Sequence, residues 1–368
     1  MDERITDEPI TTLKEFESQR EAWERLYRAD PDGQVFVSWP WLAAYLSTAK
    51  PGWLILTRRN AGDLIAALPL RISPIPSRFL PAARQLSFAS APVADFQGML
   101  CAPGRERNAV VAFAAAIERM GWDRIAFTDV CDPRVRELLA ALGQSARSIE
   151  TTGTTVCPRV DLPATWEQYT KSLGQGTRAT TVRSIRRLHD DLPAFRISSP
   201  NDDDIDAHVE AMVKLHHLRW GGNLRRSRLK YGALHRAAYH RGCLRLIVLW
   251  DAQRPIAAAA SFVDPVRSTY NLYQLAFDAG YAKYSPGKGA VGLAIRDAID
   301  GGFKVFDFLR GDEKYKAAYA AGRVQTTHHR IVRGGIRSAL FSAIQPAYVT
   351  VKAAAVRVVY GPGRSFSR

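Results

Sequence analysis

The sequence predicts a protein of the α/β (α+β) class, in which mixed and mostly antiparallel sheets are flanked by helices. Short apolar runs typical of strands alternate with stretches of helical periodicity along the chain. Hydrophobic residues make up 46% and charged residues 24% of the 368 residues, which is normal for folded domains. A chain of this length can form two domains of ordinary size, so we expect two.

The first half of the chain predicts alternating helices and strands. An early helix is indicated by apolar side chains on one face, namely Phe16, Trp23, Leu26 and Tyr27. Apolar runs over 53–57 and 64–68 predict a hairpin around the turn composition Asn-Ala-Gly-Asp. Prolines predict a loop over 71–84. A helix is expected over 109–120 and a strand over 124–128.

The second half repeats this theme with longer elements. Three aspartates at 202–204 precede an apolar helical stripe that ends at Leu215, because carboxylates favour a helix N-terminus. Apolar runs over 244–250, 256–263 and 269–276 then predict three consecutive strands. The order of elements is therefore a helix followed by a three-stranded unit.

The chain divides into two domains and a tail. A threonine-rich stretch near residue 150 interrupts the pattern, so we expect one domain in residues 1–150 and another in residues 151–335. Within a tail of residues 336–368, residues 336–360 keep a helical spacing of apolar side chains, and the chain has no acidic residue after Glu313. This basic amphipathic tail can pack on the body of the protein or adsorb to an anionic membrane surface.

A glycine-rich turn stands between the third strand and the next predicted helix. It reads Tyr284-Ser-Pro-Gly-Lys-Gly. Such a turn presents backbone N–H groups and the positive end of the helix dipole to a phosphate or pyrophosphate. A Walker loop would need glycine at Ala282 and a hydroxyl at Gly289, and a dinucleotide fingerprint would need glycine at Tyr284. Neither pattern matches, and a purely structural helix cap stays open.

The turn and its surroundings resemble the GNAT acyltransferases. The Gln/Arg-x-x-Gly-x-Gly/Ala pattern of their acyl-CoA loop matches at Gly287 and Gly289, with Tyr284 in the leading place. Further segments resemble the CelD-type branch of this superfamily, which is similar to the FemAB transferases in carrying two GNAT-like halves. These segments are Leu215-His216, Arg219-Trp220, Phe306-Asp-Phe-Leu-Arg-Gly-Asp-Glu313, Tyr315-Lys316 and, more weakly, Phe36-x-Ser38-x-x-Trp41 and Ala94-Asp-Phe-Gln-Gly98. The resemblance implies tandem GNAT-like domains. It also implies transfer of an acyl group from acetyl-CoA or another acyl-CoA to an amine or hydroxyl.

The resemblance and the side-chain chemistry together predict the site residues. The expected cofactor-binding residues are Tyr284, Ser285, Pro286, Gly287, Lys288 and Gly289. The catalytic candidates are His216, Asp312 and Glu313, since histidine titrates near the working pH and clustered carboxylates can raise each other's pKa. The substrate-binding candidates are Arg219, Trp220, Asp307, Arg310, Tyr315 and Lys316. Structural alternatives remain open, with His216 packed on Trp220 and the carboxylates paired with Arg310, Lys314 and Lys316.

Several classes of protein are disfavoured. Four cysteines stand far apart without C-x-x-C spacing, so buried thiols are expected, and no metal site. A Gly-x-Ser-x-Gly elbow, which would suggest a hydrolase, does not occur. The acidic N-terminus is unlike a secretory signal, and no run of about 18 apolar residues occurs. We therefore expect a cytoplasmic protein, peripheral at the inner membrane surface if the tail adsorbs.

The net charge of +15 predicts anionic partners. The favoured hypothesis is an acyltransferase that uses acyl-CoA and a small-molecule or glycan acceptor from envelope or exopolysaccharide metabolism. Two alternatives stay open. One is a FemAB-like transferase that takes its acyl group from charged tRNA, and the other is a non-catalytic accessory protein of polysaccharide synthesis.

Overall fold

The computed structural model describes residues 5–75, 83–143, 146–221 and 223–334. Its strands are β1 (Ile5–Thr6), β2 (Trp53–Asn60), β3 (Asp63–Ile75), β4 (Ala83–Phe88), β5 (Leu100–Cys101), β6 (Arg124–Val130), β7 (Ala146–Asp161), β8 (Phe195–Ser198), β9 (Leu244–Asp251), β10 (Arg254–Asp264), β11 (Thr269–Phe277), β12 (Val305–Asp307) and β13 (Gly322–Arg333). Its helices are α1 (Leu13–Ser18), α2 (Arg20–Ala29), α3 (Trp39–Thr48), α4 (Glu106–Arg119), α5 (Arg134–Leu142), α6 (Trp166–Ser172), α7 (Gln175–Asp191), α8 (Ile205–Trp220), α9 (Leu224–Ser227), α10 (Ala233–His240), α11 (Pro286–Asp300) and α12 (Lys314–Ala317).

One mixed sheet of 13 strands runs through the described ranges. The order is β1-β2-β3-β4-β6-β13-β7-β12-β11-β10-β9-β8, and β5 pairs with β3. Most pairs are antiparallel, whereas β4–β6 and β11–β12 are parallel. The predicted mixed, mostly antiparallel α/β architecture is confirmed. The two halves share the sheet because β13, which follows all the other strands in sequence, lies between β6 and β7.

Most predicted elements are confirmed at the residues that predicted them. The hairpin forms as β2 and β3, and the three consecutive strands form as β9, β10 and β11. The early helix is divided at Gln19 into α1 and α2. The loop predicted over 71–84 is wrong at both ends, since β3 continues to Ile75 and β4 begins at Ala83. Pro74 fits in β3 because it lies near the end of the strand, where a missing N–H costs little.

The two faces of the strands β9–β12 are covered by different helices. The helices α7 and α11 cover one face, and α11 packs on β9, β10 and β11. The other face is covered by α8 and α10, and α10 in turn packs on α3 from the first half. Helices α4 and α5 enclose a separate apolar core over the first-half strands.

Contacts between the two halves are extensive and include polar groups. The Phe262 ring of β10 packs edge-on against Phe36 and Trp41 at centroid distances of 6.3 and 5.9 Å. The Arg267 guanidinium donates to the Gly33 carbonyl at 3.0 Å, and the Tyr27 hydroxyl donates to the Asp264 carboxylate. The division near residue 150 stays a prediction, with β7 running through it. The predicted tail, residues 336–368, lies outside the described residues.

Candidate active site

The parallel strands β11 and β12 separate after three aligned residue pairs. The last pair is Asn271 with Asp307, and β11 then continues beside β10 to Phe277. The chain after β12 follows β7 instead, since the Phe308 N–H donates to Pro158 and the Gly311 N–H to Val156. An opening therefore forms between the end of β11 and residues 308–311. An edge of β11 without a strand partner leaves backbone groups for an extended ligand.

A bulge in β11 lies at this opening. Ala260 of β10 pairs with Gln274 and Ser261 pairs with Leu272, so Tyr273 is an extra residue. A bulge redirects the backbone locally and often occurs beside active sites. The Tyr273 side chain enters the core shared by the two halves, where its hydroxyl donates to the Val93 carbonyl at 3.2 Å.

A group of buried and half-buried charged and polar side chains lies beside the bulge, on the face of the sheet that carries α8 and α10. We call it the interface cluster, and its members are Asp95, Asp129, Tyr273, Asp307, Arg310 and Lys316. Arg310 Nε lies 2.7 Å from Asp95 Oδ1, and Arg310 Nη1 lies 3.3 Å from Asp129 Oδ2. The Arg310 backbone N–H also donates to Asp95 at 3.3 Å. The carboxylates of Asp95 and Asp129, from the first half of the chain, thus bind Arg310 in the segment 308–311 that borders the opening.

Burial shifts the titration of two carboxyl groups in the interface cluster. It raises the pKa of Asp95 to about 6, although the neighbouring Arg310 guanidinium favours the ionised form. It raises the pKa of Asp307 to about 7, although the Leu309 N–H, which donates to Asp307 at 2.6 Å, opposes the shift. Both groups therefore change charge near neutral pH. Burial is the leading cause, rather than the like-charge repulsion expected at Asp312 and Glu313.

Residues 307–316 form a constrained turn. Leu309 has a φ of 54° and Gly311 a φ of 104°. The buried Lys316 ammonium donates to the carbonyls of Leu309 and Arg310 at 3.4 and 2.6 Å, and it lies 2.8 Å from the Glu313 carboxylate. Left-handed backbone at a residue such as leucine persists only where its surroundings hold it. Lys316 is thus a structural anchor of the turn that borders the opening.

The glycine turn begins α11, on the opposite face of the sheet. Ser285 has left-handed backbone, with φ at 54°. The N–H groups of Lys288 and Gly289 both point to the Ser285 carbonyl, and Pro286 has no N–H. The Gly287 amide is then the first-turn donor that an anion could engage. The exposed ammonium groups of Lys283 and Lys288 flank this helix start.

The two glycines of the turn are packed inside the protein. A Cβ at Gly287 would lie 2.8 Å from Phe277 Cδ1, and a Cβ at Gly289 would lie 2.7 Å from Ile185 Cδ1 of α7. Tyr284 and Pro286 are also buried. The glycines therefore allow α11 to pack closely on its neighbours. The sequence suggested another role for them, which was to let a phosphate approach the backbone. Among the six predicted cofactor-binding residues, Ser285 and Lys288 offer accessible side chains.

The end of α8 brings His216 and Arg219 to the opening. The Arg219 guanidinium donates to the Leu275 carbonyl of β11 at 3.2 Å and lies 5.1 Å from the Phe277 ring. The His216 ring packs on Tyr231 at 5.4 Å. Burial, and to a smaller extent the charge of Arg219, lowers the pKa of His216. His216 is thus neutral near pH 7, when it can accept a proton.

The predicted site residues do not form a single group. His216 and Arg219 border the opening, and Asp307, Arg310 and Lys316 belong to the interface cluster. The half-buried Tyr315 lies in α12, Trp220 is exposed at the end of α8, and Asp312 and Glu313 are exposed. Glu313 pairs with Lys316. The cofactor turn lies beyond the end of β11, where the Phe277 ring lies close to both Gly287 and the Arg219 guanidinium.

Sequence reasoning missed several residues of the site. Asp129, Tyr273 and the fully buried His235 carry no local motif. Asp95 lies in the 94–98 stretch, whose weak resemblance to the family is the sequence feature that could have identified this residue. Burial lowers the pKa of His235 to about 3, and neither of its ring nitrogens has a hydrogen-bond partner among the described residues. His235 is 6.3 Å from the Tyr273 ring and is therefore a neutral polar group beside the interface cluster.

Candidate metal sites and membrane-spanning helices were sought in the described ranges. Within residues 5–75, 83–143, 146–221 and 223–334, no group of three or more His, Cys, Asp or Glu side chains could hold a metal ion. Over the same ranges, no helix combines the length and the apolar character needed to cross a bilayer.

Comparisons with known proteins agree with this geometry. Residues 175–317 match the family model described as an acetyltransferase (GNAT) domain, and this segment contains β11, α11 and β12. GNAT domains typically use an acyl-CoA as co-substrate. No curated protein matches the chain by sequence.

Solved structures share the fold along nearly the whole chain. A structure of FemX is 13% identical, covers 92% of this chain and 99% of its own, and has a TM-score of 0.60. The C-terminal (DUF2156) domain of an Agrobacterium fabrum protein designated a lysylphosphatidylglycerol synthetase is 14% identical, with coverages of 94% and 98% and a TM-score of 0.52. A tandem GNAT protein from the clavulanic acid pathway is 11% identical, with coverages of 90% and 99% and a TM-score of 0.50. The match over residues 175–317 supports an acyltransferase of the GNAT superfamily, and the solved structures show the shared fold.

Proposed function

We propose that the protein is an acyl-CoA-dependent N- or O-acyltransferase in which the acceptor attacks the thioester directly. The observation that carries this proposal is the separation of β11 and β12 within the segment that matches the GNAT family. The acceptor would be a sugar-derived or other metabolite of the envelope or of exopolysaccharide synthesis. The CelD-type resemblance supports that choice of acceptor, and acetyl is the favoured acyl group.

The chain offers groups that suit acyl-CoA. Lys283, Lys288 and the Gly287 amide would hold the pyrophosphate at the start of α11, because cations and a helix N-terminus favour phosphate. The free edge of β11 beyond Asn271 would accept the amide groups of the pantetheine. The bound co-substrate supplies an activated thioester.

The reaction needs a proton acceptor and a donor for the carbonyl oxygen. His216 is the favoured base, since its lowered pKa keeps the imidazole neutral near pH 7. Asp312 and Glu313 stay as further candidates. The redirected backbone at Tyr273 is the favoured source of an N–H for the oxygen. The interface cluster would form the acceptor side, with Asp307 and Arg310 contacting polar groups and Arg219 and Trp220 at its rim.

Binding and turnover experiments test this proposal in sequence. Calorimetric titration with acetyl-CoA should give a dissociation constant below about 1 mM, and acetyl-CoA should raise the melting temperature. A panel of amino sugars and glycans, screened for release of free CoA thiol, should then identify an acceptor. Failure of acetyl-CoA and of longer acyl-CoAs to bind the folded protein would contradict the proposal.

Substitutions separate the catalytic candidates. His216→Asn should lower kcat by roughly 100-fold, the order that general-base catalysis contributes, without changing the acyl-CoA dissociation constant. His217→Asn is the matched control at the neighbouring position and should keep kcat. Asp312→Asn and Glu313→Gln test the two exposed carboxylates in the same way. Wild-type kcat in all of these variants would remove the three candidates from the chemistry.

A FemAB-like transferase is the second candidate. The FemX fold extends over both halves of this chain, and the segment from 211 to 250 contains nine Lys and Arg residues but no Asp or Glu. Such a segment suits the phosphates of tRNA. Salt-dependent binding of aminoacyl-tRNA without acyl-CoA binding would favour this candidate. Binding of neither ligand would favour the non-catalytic accessory role.

A further inference from the structure

Three large apolar side chains are exposed close together in sequence at the end of α8 and the turn that follows. Leu218 is 65% exposed, Trp220 is 53% exposed and Leu229 is 68% exposed. A single exposed leucine is ordinary on a protein surface. Here two leucines and a tryptophan are exposed within twelve residues, and such a concentration of exposed apolar side chains commonly marks contact with a partner or a membrane. We call residues 218–221 and 223–230 the rim surface.

Positive charge surrounds these apolar side chains. Arg225, Arg226 and Lys230 are exposed, and the structure gives none of the three an ion pair within its described part. Arg228 pairs with Glu210, the last acidic residue before Asp251. The cations of the rim surface are thus largely uncompensated. Their charge complements an anionic surface.

The backbone of the rim surface is held by contacts with α8. Gly221 ends α8 with a φ of 68°, which is easily adopted by glycine. The short helix α9 and a π-helical turn, Arg228–Gly232, then pack back on α8. The apolar side chains are therefore presented from ordered helical backbone rather than from a loose loop.

The rim surface borders the opening between β11 and β12. Arg219 contacts the Trp220 ring at 5.0 Å and also donates to the Leu275 carbonyl of β11. Tyr231, directly after the rim surface, packs on His216. A ligand that lies on the rim surface is therefore next to the site that we have described.

We propose that the rim surface docks on an anionic lipid bilayer. Tryptophan prefers the boundary between headgroups and acyl chains, and leucine gains from insertion there. The unpaired cations are attracted to anionic headgroups. Nucleic acid would satisfy the cations but would give the two leucines no comparable partner. This docking does not depend on the acyl transfer proposed above, although it would place the opening at the membrane surface.

Vesicle sedimentation with the full chain tests the docking. The protein should bind vesicles of phosphatidylcholine with 30% phosphatidylglycerol, and binding should weaken as salt rises. Vesicles of phosphatidylcholine alone should bind at least tenfold less. Arg225→Glu/Arg226→Glu should reduce the partition coefficient by tenfold or more, because each cation near the surface contributes about 1 kcal/mol. Acetyl-CoA affinity should stay within twofold.

Matched variants on α4 control for net charge and for apolar exposure. Arg107→Glu/Arg119→Glu changes the total charge equally at two other exposed positions and should keep vesicle binding within threefold. Leu229→Ser should weaken binding severalfold, whereas Val111→Ser, at a side chain that is 60% exposed, should not. Brominated lipids should quench part of the tryptophan fluorescence, and Trp220→Phe should remove most of this quenching while the melting temperature is unchanged.

Three results would overturn the proposal. The first is absence of binding to the anionic vesicles, with or without binding of RNA to the same cations. The second is equal loss in the rim and α4 double variants, which would indicate unspecific charge attraction. The third is vesicle binding that survives Arg225→Glu/Arg226→Glu and disappears when residues 336–368 are deleted, since the tail would then be the docking element.

Discussion

The two faces of strands β9–β12 are constructed from different chemistry. The face under α7 and α11 is apolar, and glycines in α11 allow the helices to approach closely. The face under α8 and α10 carries the interface cluster, with two buried carboxyl groups that titrate near neutral pH. The first face is therefore held together by close apolar packing. The second face holds polar groups at a cost in stability, which is typical of functional sites.

The largest effect is expected from removing the cation of the interface cluster. Arg310→Met leaves the fully buried Asp95 without its guanidinium, so unfolding free energy at pH 8 should fall by about 3 kcal/mol. The loss should be smaller at pH 5, where Asp95 is protonated in any case. Arg254→Met breaks a surface pair with Asp278 and should cost much less. Equal losses of unfolding free energy in urea titrations of the two variants would show that Arg310 contributes no more to stability than a surface ion pair does.

A gain of stability is expected from neutralising Asp307. The pKa of this carboxyl is about 7 in the folded protein, well above its ordinary value of 3.8. The folded state therefore binds the proton more tightly, and the contribution of Asp307 to stability is full below about pH 4 and is lost as pH rises through 7. The pKa difference sets an upper limit of about 4 kcal/mol at pH 8. Because the amide of the asparagine must itself be buried, Asp307→Asn should be more stable than the wild type by about 2 to 3 kcal/mol at pH 8 but similar at pH 4. A constant difference across this range would contradict the assignment.

A pair of glycine variants tests the close packing of α11 on α7. A Cβ at Gly292 would lie 2.4 Å from Thr181 Cγ2, whereas a Cβ at Gly176 of α7 would meet nothing within 4 Å. Gly292→Ala should therefore lower the free energy of unfolding by about 1 to 2 kcal/mol through overpacking. Gly176→Ala should leave it unchanged or raise it, because alanine favours a helix. Similar melting temperatures for both variants would show that α7 and α11 tolerate separation.

The difference between the faces also explains what the sequence could predict. The strands β9–β11 and the helix start at Pro286 follow from contiguous apolar runs and a local turn, so their positions are confirmed. The interface cluster could not be found in this way, because Asp95 and Arg310 are 215 residues apart and meet only when β13 joins the halves. The glycine pattern gave the correct place for a helix start but not its packing against Phe277 and α7.

The smallest effect is expected at the start of α11. Substitutions there test whether the co-substrate binds on the face under α7 and α11. Lys283 and Lys288 are exposed, so under the proposed function each would contribute to phosphate binding through a screened charge. Lys283→Ala and Lys288→Ala should each weaken acetyl-CoA binding roughly two- to fivefold, with a larger effect at low salt. Lys304→Ala removes an exposed cation of the same half and should leave affinity unchanged. If all three variants bind acetyl-CoA equally in calorimetric titrations, the glycine turn has only its structural role, and the co-substrate would have to bind on the α8 face beside the interface cluster.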